Sequence, residues 1–212
     1  IFYRCPFTEP IGEAIQMAKA INVRTYYDID DLVFDKNYTD SIPTVQKLSR
    51  GERAIYDSGV IRMGATLKLC EYGITTTERL KEQMEKKVLS VFINRNCASE
   101  EMLKISERVR KNRKKNSLKN TDVIIGYSDF ELILPALLHV MDENPEVKLL
   151  LMGELDLPET LKPYKARIIR KPFVDWRHLP EVIGSVDINL APIENTIFNE
   201  AKSENKWVEA SL

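Results

Sequence analysis

Short apolar runs and amphipathic stretches alternate along the whole chain. In the first half, β-branched and aromatic runs predict strands at residues 1–5, 23–29, 74–77 and 88–93, and helical spacing predicts helices at 11–21, 60–72 and 77–87. In the second half, strands are predicted at 123–127, 147–152, 167–170 and 188–191, with helices at 130–144 and 179–186. Such alternation indicates an α/β fold whose parallel sheet carries helices on both faces.

Polar residues follow several of these strands. Asp30, Asn94, Tyr127 and Glu194 fall at or beyond the carboxyl ends of predicted strands. Open parallel sheets bind ligands beyond this edge. These positions are therefore the first places to look for a site.

A basic stretch at residues 106–120 separates two halves, each of which shows the same alternation of predicted strands and helices. It lacks aromatic residues and contains several Asn and Ser, as a solvated helix end and linker would. We therefore predict one domain at 1–115 and a second at 116–212. An arm that binds nucleic acid is the alternative, but the net charge is only −1 and no aromatic residues are interleaved.

The last twenty-six residues, 187–212, hold the richest set of polar groups. A strand runs through Pro192 into a loop with Glu194 and Asn199, and a helix is predicted from about Ala201 with Lys202 and Ser203 in its first turn. A strand, a polar loop and a helix start together favour an anion site. An ordinary capped helix is the simpler interpretation of the same spacing.

This segment resembles the donor-binding segment of glycosyltransferase family 4, a family of the GT-B fold with two facing Rossmann-like domains. The matching positions are Pro192-Ile193, Phe198-Asn199, Lys202-Ser203, Lys206 and Glu209-Ala210. Further resemblance lies in YDIDDLVFD at 27–35, GITTTERLK at 73–81 and VFINRN at 91–96. The resemblance implies two doubly wound parallel-sheet domains, truncated here at both ends.

The resemblance also implies an activity. Members of this family transfer a sugar from a nucleotide-diphosphate donor to a growing surface polysaccharide or similar glycan, with retention and without a metal or other cofactor. The second half would bind the donor through Lys202, Ser203 and loop amides, and Glu209 would accept hydrogen bonds from the ribose. The family has a second glutamate eight residues earlier, where this chain has Ala201. The first half would face a glycan or lipid-linked acceptor.

The family also has a glycine-rich loop after the strand that ends at Gly126 and Tyr127, and this loop would contribute to donor binding. Here these residues pass almost directly into Ser128. We expect residues to be missing between Tyr127 and Ser128, and we expect the chain to be a fragment of a longer protein. The α-carbons of Tyr127 and Ser128 should then lie much farther apart than about 3.8 Å.

The acidic run YDIDDL supports more than one interpretation. Asp28, Asp30 and Asp31 could hold a divalent cation, and Asp28 with Asp30 resembles the nucleophile motif of haloacid-dehalogenase-like phosphatases. The Gly-Thr turn of that motif is missing, and Glu154 and Asp156 are the nearest acidic pair. We favour Asp30, Asp31 and Asn94 as cleft-facing or capping residues without a metal.

The composition bears on the cellular compartment of the protein. The three scattered cysteines indicate a reducing compartment, and no apolar run reaches the ~20 residues of a membrane span. We expect a cytoplasmic protein that could touch the inner face of the membrane. A non-catalytic nucleotide-sugar-binding or interaction module on the same fold is the alternative from another functional class.

Overall fold

The computed structural model describes residues 1–116, 123–127, 131–153 and 157–212. It contains two separate four-stranded sheets, and every strand pair in both is parallel. The predicted α/β class with two parallel sheets is therefore confirmed. By the density of their internal contacts, residues 1–96 with 195–203 form a first unit, and 97–194 with 204–212 form a second.

The first unit contains β1 (Phe2–Tyr3), α1 (Glu9–Ala20), β2 (Tyr26–Asp28), a 3-10 helix (Lys36–Ser41), α2 (Pro43–Gln46), α3 (Arg50–Leu69), β3 (Tyr72–Thr75), α4 (Glu78–Met84), β4 (Ser90–Ile93) and, later in the chain, α8 (Ile197–Glu200). The strand order β1-β2-β3-β4 follows the chain. The reversal of strand order that marks a doubly wound sheet therefore does not occur among these four strands.

Local chemistry explains where the helices of this unit begin. The Ser49 hydroxyl accepts from the Glu52 amide while the Glu52 carboxylate accepts from the Ser49 amide, which is a complete capping box for α3. The Thr77 hydroxyl caps α4 by accepting from the Leu80 amide at 3.2 Å. The apolar spacing alone predicts the start of α3 at 60, ten residues too late, and the start of α4 at 77, within one residue of the observed start.

The two faces of the first sheet differ in burial. Tyr27, Gly73 and Val91 point to one face and belong to or contact the main core, where Tyr27 is fully buried. Tyr26, Tyr72 and Phe92 alternate with them along the strands and are half-buried or exposed. One face of the sheet is thus packed, and the other presents aromatic rings.

Gly64 of α3 lies so close to another backbone segment that we expect substitution there to be destabilising. A Cβ on Gly64 would lie 2.4 Å from the backbone oxygen of Phe34, whereas a Cβ on Gly59 in the same helix would meet nothing within 4 Å. We expect Gly64→Ala to lower the free energy of unfolding by about 1–2 kcal/mol, because overpacking exceeds the gain in helix propensity. Gly59→Ala should raise it by about 0.5–1 kcal/mol. Urea unfolding of both variants checks the pair, and equal effects would contradict the prediction.

The second unit contains α5 (Glu100–Asn116), β5 (Val123–Tyr127), a 3-10 helix (Glu131–Ile133), α6 (Leu134–Glu143), β6 (Val147–Met152), a 3-10 helix (Glu159–Arg167), β7 (Ile168–Lys171), α7 (Leu179–Ile183), β8 (Ile188–Asn189) and α9 (Asn205–Ser211). Its strand order is β7-β6-β5-β8, so the order reverses at β5 as in a doubly wound sheet. The charged strand β7 lies at the sheet edge, a position where flanking lysines and arginines stay in contact with water.

Both faces of β6 are covered. Leu149 and Leu151 pack with Leu137 and Met141 of α6, whereas Leu150 packs with apolar side chains that include Val182 of α7. The near-continuous apolar run 147–152 is typical of a parallel strand buried on both faces. The second unit therefore contains the complete helix–sheet–helix layering that the sequence predicts.

Predicted boundaries and observed elements differ in several places. The basic stretch at 106–120 is helical as far as Asn116, and the contact-based division places all of α5 with the second unit. The predicted domain extents, 1–115 and 116–212, stay a prediction. Strand β8 has two residues where four are predicted.

Candidate functional site

The segment after β8 departs from its predicted secondary structure. The chain forms a four-residue helix, α8 (Ile197–Glu200), then a turn, and only then α9 from Asn205. The prediction that Lys202 and Ser203 occupy the first turn of a helix is wrong. Thr196 starts α8 early by accepting from the Asn199 amide, and the helix ends at Ala201. Lys202 and Ser203 therefore lie between α8 and α9.

A buried hydrogen bond explains the break after α8. The Thr77 hydroxyl donates to the Ala201 carbonyl at 2.9 Å, and Ala201 is fully buried in the core of the first unit. Arg79 adds an ion pair to Glu200 at 3.2 Å. Because a group distant in sequence satisfies the Ala201 carbonyl, the chain can leave the helix there.

Three predicted site residues lie on this anchored segment in the first unit. The Lys202 ammonium lies 5.0 Å from the centre of the Phe198 ring, a cation–π contact made by an exposed side chain. The Ser203 hydroxyl accepts from the Asn96 amide at 2.8 Å, and the Asn199 amide nitrogen donates to Thr196. The structure thus brings Asn199, Lys202 and Ser203 into one short segment held by the first unit.

Glu209 belongs to the second unit and lines an apolar cavity with Lys206. The cavity has a volume of about 120 Å³, and its other lining side chains come from β6, from α7 and β8, and from the residues that follow each of these last two: Leu150, Met152, Leu179, Val182, Ile183, Val186, Asn189 and Leu190. A cavity of about 150 Å³ can hold a benzene ring. This cavity therefore offers room for roughly one small ring, with a carboxylate and an ammonium group on its wall.

Burial raises the pKa of the Glu209 carboxyl, and Lys206 partly offsets the effect. The half-buried carboxylate accepts protons at a higher pH than an exposed glutamate does. A ligand hydroxyl that donates to Glu209 binds the ionised form more strongly than the protonated form. Binding through this group should therefore weaken on acidification sooner than it would with an ordinary glutamate.

The remaining donor-site positions, Gly126 and Glu194, also lie in the second unit. Gly126 is in β5, where it pairs with Leu150 and Asn189, so its backbone lies beside two residues of the cavity wall. Glu194 is exposed on the loop after β8. Ser128 lies outside the described residues, and so does the expected gap after Tyr127.

The acidic run is ion-paired with Arg4, a residue that the sequence pattern does not mark as a site residue. Arg4 follows β1 with φ 44°, and its guanidinium donates to Asp31 at 2.8 Å and lies 3.5 Å from Asp30. Asp28 is half-buried, and its pKa is raised by burial and by Asp30. Asp30 and Asp31 thus form an ion-pair cluster with Arg4 at the carboxyl ends of β1 and β2.

Within the described residues, no group of three or more His, Cys, Asp or Glu side chains is arranged to hold a metal ion. Glu154 and Asp156, the acidic pair weighed for a phosphatase, lie outside the described residues. Asn94 is exposed at the end of β4, and its backbone N–H donates to the Thr75 carbonyl at 2.7 Å. Asp30 and Asn94 thus follow β2 and β4 at the edge that the sequence predicts.

Comparison with known proteins gives few matches. No family model matches the sequence, and no curated protein sequence matches it either. Among solved structures, the chain is similar to Phytolacca americana UGT2 complexed with UDP-2fluoro-glucose and pterostilbene, with a TM-score of 0.38 and 11% identity over 90% of this chain. Apo UGT2 from the same organism gives 0.36 and 10% over 94%. This chain spans 56% and 58% of those two chains.

In the part of the chain that the structure describes, no helix combines the length and the apolar content needed to cross a membrane.

Proposed function

We propose that this chain is part of a glycosyltransferase of the GT-B type that takes a sugar from a nucleotide-diphosphate donor. The observation that carries the proposal is the pairing of Glu209 with an apolar cavity of ring size in the second unit. A nucleoside has this character, since it combines a flat, largely apolar base with ribose hydroxyls that donate hydrogen bonds.

The position of the cavity supports the same function. Leu150 and Met152 lie towards the carboxyl end of β6, and Asn189 ends β8. These strands flank β5, where the strand order reverses, and ligands bind parallel sheets at such a switch point. We propose that the base enters the cavity and that Glu209 accepts from the ribose. Gly126 would allow close approach of the ligand to the β5 backbone, and Glu194 would contact the donor from the loop after β8.

For the first unit, we propose separately that Lys202, Ser203 and Asn199 bind phosphate groups of the donor. The exposed Lys202 ammonium is attached to a segment that two anchors, Thr77 and Asn96, hold in place. A charge on a fixed backbone stabilises developing negative charge on a leaving phosphate better than a freely moving one does. We propose retaining, metal-independent transfer of the sugar to a surface polysaccharide or similar glycan.

A non-catalytic module that binds nucleotide sugars is the second candidate function. Ala201 favours it, because this position holds a glutamate in the family resembled and is here a fully buried methyl group. Release of nucleoside diphosphate from a nucleotide sugar in the presence of saccharide acceptors separates the two functions. Binding without release would favour the module.

Glu209→Gln tests the nucleoside end. A hydrogen bond to a charged group contributes about 1.5–3 kcal/mol, so we expect nucleoside and nucleoside diphosphate to bind roughly 10–100-fold more weakly. Calorimetric titration with uridine, guanosine, adenosine and their diphosphates measures this. Glu159→Gln is the matched control, since Glu159 is 82% exposed in the same unit. Unchanged affinities in Glu209→Gln would reject the proposed nucleoside site.

Lys202→Ala tests the diphosphate end. We expect affinity for nucleoside diphosphates to fall by about 1.5–3 kcal/mol, because a charged hydrogen-bond donor is lost. Affinity for the free nucleosides should stay the same. Thermal unfolding should change little, because the side chain is exposed. Equal losses for nucleoside and diphosphate would contradict the assignment of Lys202 to the phosphates.

A further inference from the structure

The size of the cavity beside Glu209 limits which nucleoside could occupy it. Its volume of about 120 Å³ is less than the roughly 150 Å³ of an apolar cavity that takes up a single benzene ring. The base of a pyrimidine nucleoside is a single ring, whereas a purine base consists of two fused rings. The cavity is therefore close to the size of a pyrimidine, and a purine would leave part of its ring system outside.

The sheet supplies one wall of this cavity. Leu150 of β6, Gly126 of β5 and Asn189 of β8 are paired in register across neighbouring strands, so they lie side by side on the same face. Leu150 packs with Val182 of α7, so this is the face that α7 covers. Gly126 has no side chain, which leaves the middle of the row bare between two residues of the cavity wall. A flat ring can therefore lie directly against the β5 backbone.

The opposite wall limits the depth of the cavity. Val182 and Val186 are buried and form one apolar cluster with Leu150. Because protein interiors are close-packed, a second ring would have to push these side chains apart. A difference of a single methylene in an apolar pocket already gives about 10–200-fold discrimination between ligands. Exclusion of a whole additional ring should therefore be at least as strong.

The polar groups of the cavity wall lie where it meets solvent. Asn189 and Lys206 are exposed and Glu209 is half-buried, whereas the other lining residues are apolar. A pyrimidine base has the same division, because one edge carries only C–H groups and the other carries hydrogen-bonding carbonyl and nitrogen groups. The Asn189 amide can donate and accept, and the Lys206 ammonium can donate. The polar edge of the base can thus keep its hydrogen bonds while the C–H edge is buried.

We infer that this cavity selects a pyrimidine nucleoside, so that the donor is a pyrimidine nucleotide-diphosphate sugar. The C–H edge of the base faces Leu150 and Val182, and its polar edge hydrogen-bonds to Asn189 and Lys206. The inference rests on the proposed function, and it gives the apolar wall of the cavity the role of excluding purines.

Enlarging the cavity tests this selection through a gain of binding, which an unfolded variant cannot produce. In calorimetric titrations of the unmodified chain, we expect uridine and cytidine to bind about tenfold or more tightly than adenosine and guanosine. Leu179→Ala and Met152→Ala each truncate a half-buried side chain of the cavity wall. Each should strengthen purine nucleoside binding about tenfold or more, because truncation leaves space for the second ring.

Ile169→Ala is the matched control, because Ile169 of β7 packs against the same buried cluster from outside the cavity wall. Thermal unfolding checks that each variant is folded before titration. A gain of purine binding in Leu179→Ala or Met152→Ala, with none in Ile169→Ala, supports the inference.

Two results would overturn the inference and leave the proposed function standing. The first is that the unmodified chain binds purine and pyrimidine nucleosides equally well and Glu209→Gln weakens both. The second is a pyrimidine preference that stays the same in both enlarged variants, since cavity size would then not be its cause. Absence of binding by all four nucleosides at millimolar concentrations would instead reject the nucleoside site itself, and the inference with it.

Discussion

Replacing Arg167 with methionine is expected to lower the free energy of unfolding by about 2–4 kcal/mol. The guanidinium donates to the Met141 carbonyl at 2.7 Å and the Asn144 carbonyl at 2.9 Å, and more weakly to those of Pro145 and Val147 at 3.3 Å. These carbonyls belong to the last turn of α6 and the start of β6, where no helical partner remains for them. Methionine keeps the stem of the side chain but leaves all four without this donor.

Arg167→Lys and Lys165→Met separate the possible causes. A lysine has a single ammonium group, whereas the planar guanidinium of Arg167 donates hydrogen bonds in two directions at once. Arg167→Lys should therefore recover less than half of the lost free energy of unfolding. Lys165 is exposed in the same 3-10 helix, and its loss should change stability by less than about 0.5 kcal/mol. Urea unfolding followed by circular dichroism measures all three variants. Full recovery by lysine would mean that charge alone matters at this position.

Strands buried on both faces were the easiest elements to predict from the sequence. The run 147–152 is predicted and observed with the same limits, because six consecutive apolar or aliphatic-stemmed residues fit only a strand packed from both sides. Asp30 and Asn94 were also placed correctly at carboxyl ends, since the end of an apolar run fixes the edge of the sheet. Periodicity carries this information within a few neighbouring residues.

Where periodicity did not predict the structure correctly, contacts between residues distant in the sequence explain the difference. The predicted helix from Ala201 is interrupted because Thr77, 124 residues away, takes the Ala201 carbonyl. Arg4 pairs with Asp31 across 27 residues, and no local pattern marks it as the partner of the acidic run. Residue types alone indicate which groups could hydrogen-bond, but the fold determines which of them meet.

The division of the predicted donor site between two units has the same origin. Lys202 and Glu209 are seven positions apart and were predicted on one helix, yet the first lies with the first unit and the second with the second unit. Spacing of seven residues places two side chains on one helical face only if the helix is continuous. The turn at Lys202–Glu204 breaks that condition, so Lys202 and Glu209 have to be tested separately, each with its own ligand.

Thr77→Val is expected to lower the free energy of unfolding by about 2–4 kcal/mol, through loss of a helix cap and of a buried hydrogen bond. Valine has nearly the same shape but lacks the hydroxyl that accepts from the Leu80 amide and donates to the Ala201 carbonyl. Both backbone groups would stay buried without this partner. Hydrogen exchange should also increase in residues 195–203, because one of their anchors to the first unit is gone.

Two neighbouring substitutions make the Thr77 prediction specific. Thr77→Ser keeps both hydrogen bonds and should cost less than about 1 kcal/mol, since only a methyl group is removed. Thr76→Val removes a buried hydroxyl that has no partner among the described residues, so it should be neutral or slightly stabilising. Urea unfolding ranks the three variants, and exchange measured by mass spectrometry follows 195–203. If Thr76→Val destabilises as much as Thr77→Val, or if exchange in 195–203 is unchanged, the Thr77–Ala201 bond does not hold the Lys202 segment in place.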